Sequence, residues 1–450
     1  MIIFMGDLEK LENNYCMCLL DEYKTKRLYL LIFCFFYILI SCQADSEVFH
    51  QLFKCSKSLI SPYGICTHIN RVGSKYEFDT REQDMKMIGS VGGQWIRTDF
   101  DWSAVWTPRK DSLTFKHLEK VVNSVLPYNQ NILGILTVSH HPKLKSEWEY
   151  YVTQMTSHFK PTIRYWEIVN EADLKQKQIS TFGYSDYVRQ LQSSYKIIKK
   201  VDKRATVLFS GIADVNNLFI DSIFKRNVSE YFDVMNIHHY ANGNDEPEIF
   251  VDYFRRVKAK LNQYKIDKSV WLTETGCTTA PNWATEEMQS WRLPRIFLIS
   301  FACGIDKVFW YKSRSSELVP NDSECYFGLW HKDYTPKLAY YAYRTLIKMC
   351  PNKSTRPVLE KQGSVYIAFW KQPNGRNVYA LWSPKEKIAA NIVVKGKYNC
   401  YDVYGREILM KNNEIDITSS IKYWVGANKF KLFLKNYNED STYRKSKEWH

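Results

Sequence analysis

NILGILTVSHHPKLKSEWEYYVTQMTSHFKPTIRYWEIVN, residues 131–170, contains the fold in miniature. An apolar run of strand length (131–139) gives way to an amphipathic stretch (146–159), and a second β-rich run follows (164–170). Runs that are nearly continuous in apolar residues belong to strands buried on both faces, the habit of a parallel sheet covered by helices. The segment therefore reads as one β-α-β unit.

Outward from it the unit repeats. Further strands are expected at SPYGICTH (61–68), QWIRTD (94–99), TVLFSG (206–211), YFDVMNIHH (231–239), SVWLTE (269–274) and DKVFWY (306–311). Helical stretches follow each strand, around 80–90, 115–128, 184–202, 216–226, 246–263, 285–303 and 337–349. The stretch 184–202 carries Tyr187, Leu191, Tyr195 and Ile198 on one stripe at helical spacing. Eight alternating units across one chain give the α/β class and predict a (β/α)₈ TIM barrel over 59–350 rather than a doubly wound sheet. After Cys350 the helical pattern stops. SVYIAFWKQ (364–372), NVYALWS (377–383), AANIVVKG (389–396) and KFKLFLK (429–435) are separated by turn signals such as Pro373-Asn374-Gly375. They predict an antiparallel β-sandwich over 351–436, followed by a polar tail at 437–450.

The N-terminus reads as an address. Lys24, Lys26 and Arg27 precede the apolar run LYLLIFCFFYILI (28–40), which is too short to span a hydrocarbon core of about 20 residues. The run closes on Leu39-Ile40-Ser41-Cys42, similar to a bacterial lipoprotein box. Residues 1–42 are expected to be a signal peptide, with lipid on Cys42, residues 43–58 as a tether, and the mature chain at a bacterial outer surface or in the periplasm. A plain signal peptide or short anchor is the alternative.

Composition narrows the function classes. With 45% hydrophobic, 24% charged and 15% aromatic residues among 450, the chain is neither disordered, collagenous nor a polytopic membrane protein. The net charge of +14 comes from scattered bases, without a Lys/Arg run interleaved with aromatics, so no nucleic-acid partner is expected. The eleven cysteines include no CxxC pair and no Cys/His cluster at zinc spacing, and they leave one bridge, such as Cys55–Cys66, open. No metal or organic cofactor is expected.

Chemistry in a barrel of this kind sits at the C-terminal strand ends. Strand four ends in Val169-Asn170-Glu171 and strand seven in Thr273-Glu274-Thr275, which brings two carboxylates to the same rim. Such a pair is the usual apparatus for hydrolysing a glycosidic bond, and a gap of about 5–5.5 Å implies retention of configuration. Both could instead be exposed loop acids, Asn170 a turn cap, and Arg97 a surface partner of Asp99 or Asp101.

YWEIVNEADL (165–174) resembles the WxxxNEP signature of clan A glycoside hydrolases, and LTETG (272–276) resembles their nucleophile strand. The likeness runs through the whole barrel and is nearest in flavour to family 39, the β-xylosidase and α-iduronidase relatives. It departs from the pattern at Val169, where many members carry Trp, and at Ala172, where Pro is usual. The resemblance implies a retaining hydrolase of β-linked oligo- or polysaccharides, with Glu171 as acid/base and Glu274 as nucleophile. It implies that Arg97 and Tyr240 donate to the nucleophile, that His238 lies beside them, and that Asn170 contacts the sugar 2-hydroxyl. Trp310 is expected beneath the reacting sugar, with Trp102, Trp106 and Trp283 as extensions of the platform and Trp166 and Trp271 as barrel packing. His239, His140 and His141 are weaker candidates for the rim. The alternative is a carbohydrate-binding surface protein that has kept the barrel and lost catalysis.

Overall fold

The computed structural model describes residues 46–71, 79–107, 112–137, 145–174, 182–216, 218–241, 243–384, 387–410, 414–427 and 431–436. The leader, Cys42, His140, His141 and the polar tail lie outside the described residues. Contacts divide the chain into a small unit, residues 1–47 with Lys361–Gly363, and a large one, Val48–Glu360 with Ser364–His450. Everything below concerns the large unit.

Eight parallel strands close into a barrel: β1 (Tyr63–Cys66), β2 (Trp95–Asp101), β3 (Asn131–Thr137), β4 (Tyr165–Ile168), β5 (Thr206–Leu208), β6 (Val234–His238), β7 (Ser269–Thr275) and β8 (Lys307–Trp310). They are hydrogen-bonded in chain order, and β8 returns to β1 through Val308 opposite Tyr63. The helices between and after them are α1 (Arg81–Val91), α2 (Lys116–Val125), α3 (Lys145–Phe159), α4 (Tyr184–Val201), α5 (Leu218–Phe224), α6 (Ile249–Gln263), α7 (Glu286–Ala302) and α8 (Leu338–Met349). The structure is the (β/α)₈ barrel that the alternation predicts.

Strand residues alternate between two apolar environments, as the pleat requires. Cys66, Trp95, Leu133, Leu208, Val234, Trp271 and Phe309 pack together as one cluster inside the barrel. Their neighbours Ile65, Ile96, Ile132, Trp166, Val207, Leu272 and Trp310 pack in the larger cluster that the helices cover. Trp166 thus packs outside the sheet and Trp271 inside it.

The C-terminal part is two antiparallel sheets. One runs in order through Val365–Lys371, Asn377–Trp382, Lys422–Gly426, Tyr398–Tyr401 and Glu407–Ile408; the other is Glu414–Ile417, Ile388–Lys395 and Lys431–Asn436. Val365, Ile367, Tyr379, Leu381, Ile392 and Trp424 fill the space between them. The opposite face of the larger sheet, with Trp370, Trp382 and Tyr423, joins the barrel's outer core. Trp370 Nε1 donates to Met349 O (2.8 Å) and Trp382 Nε1 to Glu248 Oε1 (2.7 Å). Burial on both faces explains why Asn377–Trp382 has no exposed position.

One expectation is corrected, and the open question of a Cys55–Cys66 bridge is answered. The part of the 43–58 tether that belongs to the large unit is built into the fold: Phe49 and Phe53 are buried, and Leu52 N donates to Cys303 O (2.8 Å). Apolar side chains at 49, 52 and 53 make burial the cheaper state for that stretch. Cys55 and Cys66 are free thiols, as are the other described cysteines, and the Cys66 thiol donates to Thr273 O (3.1 Å) inside the barrel.

Candidate active site

The β4 end carries the first carboxylate on a strained backbone. Val169 (φ 63°) and Glu171 (φ 45°) both adopt left-handed conformations, which is uncommon for any residue with a Cβ and most costly for a β-branched one. The surroundings hold the strain in place. Ala172 N donates to Ser210 Oγ (2.9 Å), and the buried Asp173 carboxylate accepts from Asp214 N (3.0 Å). This kink turns Val169 into the core and leaves Glu171 partly exposed at the rim.

The second carboxylate enters at an irregularity in β7. Leu272 pairs with Ile237 and Glu274 with His238, so one extra residue is accommodated on the β7 side. Bulges of this kind re-aim side chains beside active sites. Thr273 and Glu274 consequently both reach into the barrel mouth, where Thr273 Oγ1 lies 2.6 Å from Asn236 Oδ1 and 3.1 Å from His238 Nε2.

The two acids meet over His238. Its Nδ1 is 2.9 Å from Glu171 Oε1 and 3.5 Å from Glu274 Oε2. One ligand atom from each of Glu171, His238 and Glu274 lies within 4.8 Å of the others. Among the described residues this trio has the reach to hold a divalent ion. The Arg97 guanidinium, 2.6 Å from Glu274 Oε1, sets a positive charge against that use.

Glu274 is almost enclosed, and donors surround it. Arg97 Nη1 donates to Oε1 (2.6 Å) and the Tyr240 hydroxyl to Oε2 (2.8 Å). Burial alone would push its carboxyl up, but the His238 and Arg97 charges and the two hydrogen bonds outweigh that and hold it below the ordinary glutamate value. For His238 burial works against the cation, yet the Glu274 charge and the contact with Glu171 raise its pKa above the ordinary histidine value. Burial and the neighbouring Glu274 anion push Tyr240 far up, so it stays a donor.

Arg97 is itself gripped from behind. Its Nε and Nη2 donate to Glu167 Oε2 (2.8 Å) and Oε1 (2.9 Å), and Nη2 also donates to Asn170 Oδ1 (2.7 Å). Glu167, fully buried on β4, was not among the residues singled out from the sequence. Its signal was there, a lone acid in the middle of an apolar strand.

The cleft above these groups has a volume of about 580 Å³ and is lined by Asn170, Glu171, His238, Tyr240, Glu274 and Arg97, together with the rings of Tyr311, Trp283 and Phe327. The expectation for Trp310 is corrected: it is fully buried in the outer core. Alternation along β8 sends Phe309 and Tyr311 inward and Trp310 outward. Tyr311 takes the place at the rim, with its hydroxyl 2.9 Å from Glu324 Oε2 and its ring centroid 5.5 Å from that of Phe327. Trp283 is 44% exposed at the mouth, whereas Trp102 packs edge-on against Tyr151 away from the lining. The Trp106 side chain lies outside the described residues. His239 stacks face to face on Tyr253, with centroids 3.8 Å apart, and burial lowers its pKa to about 4.

The barrel with its C-terminal sandwich is a fold that this chain shares with solved glycoside hydrolases of families 39 and 30. No family model and no curated protein matches the chain. Among solved structures, a family 39 glycoside hydrolase from Bacteroides cellulosilyticus WH2 is similar with a TM-score of 0.65 at 18% identity, over 82% of this chain and 81% of that one. A monomeric β-xylosidase from Caulobacter crescentus CB15 gives 0.61 at 12% identity over 84% and 99%, and a family 30 endoxylanase from Clostridium papyrosolvens C71 gives 0.58 at 13% over 85% and 100%. At these identities the likeness is one of fold.

Proposed function

We propose that the chain is a retaining glycoside hydrolase acting on β-linked oligo- or polysaccharides. The observation that carries this reading is the short gap between Glu171 and Glu274, spanned within 4.8 Å together with His238. Retaining sites set their carboxyls about 5–5.5 Å apart, and inverting sites leave about 6.5–9.5 Å for a water.

In the first step Glu274 Oε2 or Oε1 attacks the anomeric carbon while Glu171 gives its proton to the glycosidic oxygen. The C–O bond to the aglycone breaks and a glycosyl ester forms on Glu274. In the second step Glu171 takes a proton from water, the hydroxide attacks the anomeric carbon, and the ester is released. Two carboxylates and water complete the cycle. Arg97 and Tyr240 keep Glu274 ionised and oriented, a task that matters most when charge leaves it. Asn170 Oδ1 is taken by Arg97, which frees its Nδ2 to donate to the sugar 2-hydroxyl. Tyr311 offers a ring face at the wall where a pyranose C–H face can pack. The N-terminal signal supports export and a lipid anchor on Cys42 at the cell surface or in the periplasm.

The test is stereochemical. Proton NMR of the first-formed product from an aryl β-glycoside or a β-glycan should show the β-anomer before mutarotation. An α-anomer appearing first would refute retention, and binding without any product would favour a catalytically silent lectin-like protein.

A further inference from the structure

Glu167 has no exposed surface, and a buried ion pair is weak evidence for stability because desolvation cancels much of the attraction. What distinguishes this one is where the other side of the cation points. The Nε–Nη2 edge of Arg97 is held bidentate by Glu167, at 2.8 and 2.9 Å, and Gly211 N anchors Glu167 Oε1 from behind at 3.1 Å. With that edge fixed, the remaining donors have one direction each: Nη1 toward Glu274 (2.6 Å) and the second Nη2 hydrogen toward Asn170 (2.7 Å). Turning the guanidinium out of this plane would break one bond of the fork before it improved any other.

We propose that Glu167 is a positioning residue with a second duty: it fixes the plane in which Arg97 serves Glu274 and Asn170 together, and its charge masks that cation from the nucleophile. The proposal rests on reading Glu274 as the nucleophile. An unmasked guanidinium this close would over-stabilise the carboxylate, and a less basic carboxylate is a poorer nucleophile. The groups facing Glu274 are Cys66 from β1, Arg97 from β2, Glu171 just after β4, His238 and Tyr240 at the end of β6, and Tyr311 after β8, while Glu167 lies behind Arg97. Arg97 is the fixed cation in this set, with His238 added when protonated, so removing the Glu167 charge leaves Arg97 to act on Glu274 undiluted. The same removal leaves Arg97, whose Nη2 approaches His238 Nε2 at 3.5 Å, as an undiluted cation beside that imidazole.

The experiment compares Glu167→Gln and Glu167→Asp in the full chain. Carboxyl-carbon NMR follows the Glu274 titration, ring-nitrogen NMR follows His238, and kcat and KM on aryl β-glycosides follow turnover. In Glu167→Gln the Glu274 and His238 midpoints should both fall, by about one pH unit, and kcat should drop about 10- to 100-fold with KM nearly unchanged. Glu167→Asp keeps the charge but shortens the reach, so the midpoints should stay and kcat should fall. Midpoints that do not move in the Gln variant, or parental turnover in the Asp variant, would overturn the proposal. If the Gln variant does not fold, the Asp variant decides alone: lost turnover with fixed midpoints supports the proposal, and any other combination overturns it. A parent that cleaves no glycoside would sink the hydrolase reading, while the two titrations would still judge the charge-masking role.

Discussion

Gly211 and His238 occupy a space with room for one side chain: a Cβ built on Gly211 would lie 2.0 Å from His238 Nε2. The glycine sits just past the end of β5 and bridges Asn170, so its missing side chain is what lets the imidazole reach between the two acids. In Gly211→Ala the imidazole must shift, and displacement of about 1 Å at such a centre costs on the order of 10²-fold in rate. The expected outcome is a drop of that size in kcat/KM with an unchanged far-ultraviolet circular dichroism spectrum. Parental kinetics would show that His238 has slack there.

The pH profile should follow Glu274. Its carboxyl is held below the ordinary glutamate value, so the acid limb of kcat/KM should lie below about pH 4.5 as long as the fold survives. The Tyr240 hydroxyl is one of the groups holding it down. Tyr240→Phe removes a donor to the charged form, which raises the pKa and moves the acid limb upward. A limb that stays or moves to lower pH would contradict the assignment.

Tyr311 should contribute to binding more than to fold. Tyr311→Ala removes the ring face at the cleft wall, and the expected effect is a rise of about tenfold in KM or in the inhibition constant of a simple sugar. Trp310→Phe acts in the outer core instead and should lower the melting temperature without a comparable change in KM.

Stability at the barrel–sandwich contact should depend on Glu248. It accepts from Trp382 Nε1 (2.7 Å) and from Arg295 Nε (3.0 Å), and the Arg295 side chain is buried. Glu248→Ala leaves Glu246 to compensate that guanidinium alone, at a cost of about 2–3 kcal/mol. Calorimetry or thermal circular dichroism checks this, and kcat at low temperature should be unchanged.

How far the sequence could be read depended on where burial left a signature. The barrel strands were legible because burial on both faces makes them nearly continuous in apolar residues. Asn170, Glu171 and Glu274 were legible because each is a polar residue at the end of such a run, whereas Arg97, His238 and Tyr240 were marked by the resemblance of their motifs to those of clan A glycoside hydrolases. The same continuity hid the phase of β8: in Val308-Phe309-Trp310-Tyr311 every residue is apolar or aromatic, so nothing marks which of them faces inward. Glu167 sits within the motif that drew attention to its final two residues, and its role depends on Arg97, 70 residues away. The bulge in β7 and the left-handed turn at Val169 come from packing against neighbouring strands, which no local pattern encodes. Residues 49–53 looked like tether because their partner, Cys303, lies far along the chain.

The central claim is that Glu274 becomes covalently bonded to the sugar. Incubation with activated 2-deoxy-2-fluoro β-glycosides, followed by peptide mass spectrometry, tests it directly, because the fluorine slows breakdown of the ester. The account predicts a single adduct, of one fluorosugar mass, on the peptide containing Glu274, and none in Glu274→Gln, whose turnover should fall by on the order of 10⁴-fold or more. An adduct on another residue, or steady hydrolysis of the parent glycoside by Glu274→Gln, would contradict it.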